Sequence, residues 1–123
     1  MNELVNKVRR VEQDIADEKG PLYLCALVEP RDYLHNRWDL LISAPWAKRD
    51  RDTILYVADV LNRHLTDERW RVSSIQILDP SEHPVNEIHE RYDVEHGKVE
   101  VLDAVYMDLD VRRAYIITSR RAA

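Results

Sequence analysis

Apolar positions near the start of the chain recur at Leu4, Val8, Val11 and Ile15 with charged residues between them, which is the spacing of one stripe along a helix. Asn2 can cap that helix. Gly20 offers the left-handed residue that closes a helix and Pro21 forbids continuation, so an end near Lys19 is expected. The pattern then turns into continuous apolar runs. Leu22 to Val28, bounded by Pro21 and Pro30, is too short for a helix and reads as a strand; Trp38 to Ala44 reads the same way. Between them Glu29 to Arg37 carries Pro30, Asp32 and Asn36, which predicts a long-looped antiparallel hairpin.

After Pro45 the helical period returns, with Ile54, Val57, Ala58, Leu61 and Leu65 on one face and Asp50 or Asp52 placed to cap. A third strand, Arg69 to Leu78, follows, and a strand-helix-strand order makes it parallel to the second. Val85, Ile88 and Tyr92, with Pro84 at a first helical position, predict a short helix inside the long connection from Asp79 to Gly97. Val99 to Leu109 and Ala114 to Ser119 are the last two strands, with the polar segment Asp110 to Arg113 as their turn. The fold class is therefore α+β: a two-layer sandwich in one domain, 1–123, with two main helices on a mixed five-stranded sheet, in the order α-β-β-α-β-(short α)-β-β.

Both faces of the sheet read as apolar. Leu22, Leu24, Ala26 and Val28 oppose Tyr23, Cys25 and Leu27, and Ala114 and Ile116 oppose Tyr115 and Ile117. Two helices cover one face, so the other needs the 79–97 segment, a second copy of the chain or a different protein. Tyr23, Leu27, Tyr115 and Ile117 are the candidate interface residues, with Trp38 and Trp46 as aromatic anchors.

Charge and composition narrow the function. The net charge of -5 opposes a phosphate backbone, which argues against general nucleic-acid binding; a local basic patch at Lys48, Arg49 and Arg51, joined by Arg69 and Arg71, is the exception to test. No apolar run approaches the roughly 20 residues that span a bilayer, so no membrane association is expected. A single cysteine, Cys25, without a C-x-x-C pair suits a reducing cytoplasm, and its apolar strand predicts a packed, inert thiol.

With only Gly20 and Gly97, the chain has no glycine-rich phosphate loop and no dinucleotide fingerprint; G-x-S-x-G and H-E-x-x-H are also absent. Asp103 interrupts the alternation of Val99, Val101, Val105, Met107 and Leu109; it marks a bulge, a strand end or a pairing with an arginine, or else a tuned acid or metal ligand. Asp108 and Asp110 share a spacing that can hold magnesium or manganese with a phosphate, and Asp103 and Asp39 can join them. Alone the spacing is a weak signal, and a hairpin turn rich in aspartate explains the pair without chemistry. Asp32, His35, Asp39 and Ser43, and separately His83, His89 and His96, are further carboxylate and imidazole candidates without a known ligand spacing. The expected function is that of a small cytoplasmic accessory or regulatory protein that binds protein, self or other, as a homodimer or a subunit of an assembly. The alternatives are a metal-dependent phosphoryl-transfer or phosphodiester-cleaving enzyme and a nucleic-acid-binding module.

Overall fold

The computed structural model describes residues 2–30, 37–106 and 109–120, with only the backbone described at 2, 83–84, 103–106 and 109–110. Helix α1 spans Asn2–Lys19 and buries Leu4, Val5, Val8, Val11 and Ile15, the stripe that the sequence announces. Gly20 ends it at φ +102°, donating its N–H to Ala16 O at 2.9 Å. In that region a Cβ is strained, so glycine belongs there. Strand β1 (Leu24–Pro30) pairs antiparallel with β2 (Trp38–Ser43).

Helix α2 (Arg51–His64) is capped by Asp50, whose carboxylate accepts from Thr53 N at 2.9 Å. It leads through a short 3-10 turn at Arg69–Arg71 into β3 (Val72–Ile77), which runs parallel to β2 as the crossover requires. Helix α3 (His83–Arg91) follows, then β4 (Val99–Tyr106) and β5 (Leu109–Ser119). The sheet order is β3-β2-β1-β5-β4, which puts the two longest-range partners, β1 and β5, side by side near the centre.

The last hairpin turns earlier than its composition suggests. Val105 and Tyr106 pair with Asp110 and Leu109, so the segment Asp110 to Arg113 is strand rather than turn. The reason is visible in its side chains: Val111 is 1% exposed, and Arg113 Nε reaches the buried Glu29 at 3.2 Å. Polar letters there mark strand positions with specific partners. The β4–β5 register also runs from Val99 to Tyr106 without a shift, so Asp103 marks no bulge.

Core packing forms on both faces. On one, α1 and α2 cover Cys25, Leu27, Trp38, Leu40, Ile42, Tyr115 and Ile117. On the other, Val85 and Ile88 of α3, with Tyr92 and Val94 beyond it, cover Leu24, Ala26, Val28, Leu41, Ala114 and Ile116. The second apolar face is thus satisfied within the chain, by the 79–97 segment.

Candidate interaction surface

An open sheet edge carries a row of backbone donors and acceptors, and the two edges of this sheet differ. Leu78 N donates to Ile42 O, so alternation along a parallel strand turns the backbone groups of Ile75 and Ile77 away from β2. Arg49 Nε donates to that outward Ile77 O at 2.8 Å, and the same guanidinium pairs with Glu82. Near the start of β3, Arg69 Nη1 holds Val72 O at 3.1 Å while its Nε holds Asn62 Oδ1 at 2.9 Å. An added strand has to displace Arg49 from Ile77 O.

Strand β4 is the opposite edge, eight residues long, and Leu102 on it is 60% exposed, more than any other large apolar side chain described. No described side chain hydrogen-bonds its backbone between Val99 and Leu102. Glu100, its neighbour, accepts from the Tyr115 hydroxyl at 2.7 Å. Burial and then that bond push the Tyr115 phenol up to about 12, so the hydroxyl stays a donor. This ties the described start of the edge to the centre of the sheet.

The residues read from the sequence as an interface fall elsewhere. Leu27, Trp38 and Ile117 are 0% exposed and Tyr115 is 4% exposed, all beneath α1 and α2, so the chain's own helices occupy the surface assigned to a partner. They lie on the helix-facing side of strands, where apolarity signals the core. Trp38 packs against Tyr115 at 5.7 Å and under the Arg113 guanidinium at 5.4 Å. Trp46 is half-buried edge-on to Tyr56, and Tyr23 is half-buried with its carbonyl accepting from Arg120 N. The exposed tryptophan is Trp70, with the Arg37 and Arg71 guanidiniums over its ring at 5.0 and 5.7 Å.

Lys48, Arg49 and Arg51 do gather at the start of α2, but acidic groups stand among them. Asp50 caps the helix, Asp79 feels the Arg49 charge and Glu82 pairs with Arg49. The patch is charge-mixed. Asp103, Asp108 and Asp110, the metal candidates, have side chains outside the described residues, as do Asp32, His35 and His83. Among the described residues no group of three potential ligands converges on a metal position. Asp39 accepts from Ser74 Oγ at 2.7 Å and Gln76 Nε2 at 3.2 Å, Ser43 is buried, and His89 Nε2 meets Tyr23 O at 2.8 Å. Cys25 is buried, and burial pushes its thiol well above the usual range, as an inert core thiol requires.

Two buried carboxylates escape a reading by motif. Glu29 is 0% exposed and held by Arg112 and Arg113. Glu12, also 0% exposed, meets His96 Nδ1 at 2.5 Å. The signal for Glu12 is present in the sequence: it falls four residues after Val8 and three before Ile15, within the apolar stripe of α1. Among the described residues no helix is long and apolar enough to cross a membrane. Compared with known protein families, curated proteins and solved structures, the chain has no significant match.

Proposed function

We propose that this chain is a small cytoplasmic accessory or regulatory protein that works by binding protein, and that it does so by pairing a strand along β4, with a second copy of itself as the first partner. The observation that carries this reading is the contrast between edges. Arg49 engages the outward Ile77 carbonyl of β3, while β4 is an eight-residue edge bearing a 60% exposed leucine. Strand addition supplies affinity through main-chain hydrogen bonds and specificity through the side chains beside them. Burying the exposed part of Leu102 contributes about 1 to 2 kcal/mol per copy, taking a full leucine burial as 1.5 to 3.

The test is the mass in solution as a function of concentration, for the native chain and for Leu102→Lys. The native chain is expected to dimerise and the variant to remain monomeric, with unfolding midpoints of the monomers alike because the site is exposed. A dimer that survives Leu102→Lys refutes the edge, and a native chain that stays monomeric at every concentration refutes self-pairing. In that second case, photocrosslinking from position 102 in the source cell decides whether another protein takes the edge.

A further inference from the structure

Residues 6, 9, 10 and 13 of α1 share one face at helical spacing, and with His96 beside them they line an open groove of about 360 Å³: Asn6, Arg9, Arg10, Gln13 and His96. Each of these side chains brings hydrogen-bond donors: two guanidiniums, two amides and an imidazole. Two carboxylates touch the set: Asp17 Oδ1 accepts from Gln13 Nε2 at 3.0 Å, and Glu12 lies behind the ring. Glu12 is fully buried, its Oε1 at 2.5 Å from His96 Nδ1 and its Oε2 without a partner.

His96 is held in a conformation that a non-glycine residue rarely adopts, with φ 53°. Its N–H donates to Thr118 Oγ1 at 3.2 Å, and its carbonyl accepts from Arg9 Nη2 at 3.0 Å. Thr118, Arg9 and Glu12 therefore fix both the backbone and the ring of His96, and strain of this kind concentrates at functional sites. A carboxylate on Nδ1 orients the imidazole and leaves Nε2 for the open side, where the side chain is 37% exposed. Burial raises the Glu12 carboxyl, and the contact with His96 opposes that rise. The nearby Glu95 is engaged by Arg120 at 2.9 Å, while Arg10 has no ion-pair partner among the described residues.

From this geometry we infer that the α1–His96 groove binds a phosphate group, as the free anion or as a monoester. Phosphate fits the donors better than a carboxylate does, because its oxygens point in more directions than two guanidiniums and an imidazole can share on a planar group. Near neutral pH it also carries both O–H and O⁻, so it meets His96 Nε2 whichever role that nitrogen plays. The site lies on α1 and the segment after α3, apart from the β4 edge, and stands independently of the function proposed above.

The experiment is a titration of the full chain with inorganic phosphate at constant ionic strength, reading the histidine ring nitrogens by NMR. The His96 Nε2 signal is expected to shift and saturate at millimolar phosphate while His64 and His89 stay still. Arg10→Gln, an exposed change that leaves the unfolding midpoint intact, is expected to weaken binding about tenfold through loss of one charge-assisted contact. His96→Gln, checked for folding by its midpoint, is expected to bind more weakly as well, read from the Arg9 and Arg10 side-chain signals. A His96 signal that phosphate moves no more than chloride does overturns the proposal. So does an identical response in Arg10→Gln, since a purely structural Glu12–His96 tie does not sense that guanidinium.

Discussion

Cys25→Ala separates a packed thiol from a reactive one through the pH dependence of stability. In the folded chain Cys25 is 0% exposed, and burial, with the Glu12 charge adding to it, keeps the thiol protonated well above its usual range. Once unfolded, the same thiol ionises near about 8.5. Above that pH the unfolded state has released a proton that the folded state retains, so stability is fully present below the unfolded pKa and falls as pH rises. The slope is about 1.4 kcal/mol per pH unit, which amounts to about 2 kcal/mol at pH 10. Alanine removes this slope and leaves a small cavity, at a cost of about 1 kcal/mol that does not depend on pH. The native chain should therefore be the more stable at pH 7 by about 1 kcal/mol and the less stable at pH 10 by about as much, with a crossing near about pH 9. Urea unfolding of both chains at several pH values measures it. Tyr56 and Tyr115, whose hydroxyls are also pushed up by burial, are common to both and cancel in the difference. If the two chains lose stability in parallel between pH 7 and 10, the thiol is already ionised or exposed in the fold and the reasoning fails.

Two further substitutions probe the frame around the proposed edges. Asp50→Ala removes the cap that accepts from Thr53 N and should cost about 1 kcal/mol, read as a lower urea midpoint at unchanged slope. Arg49→Ala frees Ile77 O on the β3 edge; its stability should change by no more than about 0.5 kcal/mol, as at other exposed sites, while light scattering at high concentration should rise. Unchanged scattering would show that the guanidinium does not guard that edge.

Much of the fold could be read from periodicity because the elements are strongly patterned. The Leu4-to-Ile15 stripe, the Gly20-Pro21 stop, the Asp50 cap and the parallel third strand all appear where spacing and stop signals place them. The final turn was less legible. Asp110, Arg112 and Arg113 have the composition of a loop, and only the pairing of Arg112 and Arg113 with a buried glutamate far away in sequence makes them strand residues. The apolar second face was legible, but its cover was not: α3 offers few apolar positions, and whether Val85 and Ile88 suffice depends on how they sit over β1 and β5. Leu27, Trp38 and Ile117 show the same limit, since an apolar residue announces burial without naming what buries it. The Glu12–His96 contact joins residues far apart in the chain, and no local motif could report it.

The inequality of the two sheet edges bears on how far self-association can go. A protein with two free edges can pair head to tail without end, each copy handing a fresh edge to the next, and that is the route to fibres. Here Arg49 engages β3 at Ile77, so two copies joined through β4 about a twofold axis, as proposed above, would use up both free edges at once. Growth of such a pair would stop there, with the two β3 strands as the outer rims of the joined sheet. Arg49, which looks like surface charge in the sequence, would set the stoichiometry of that assembly.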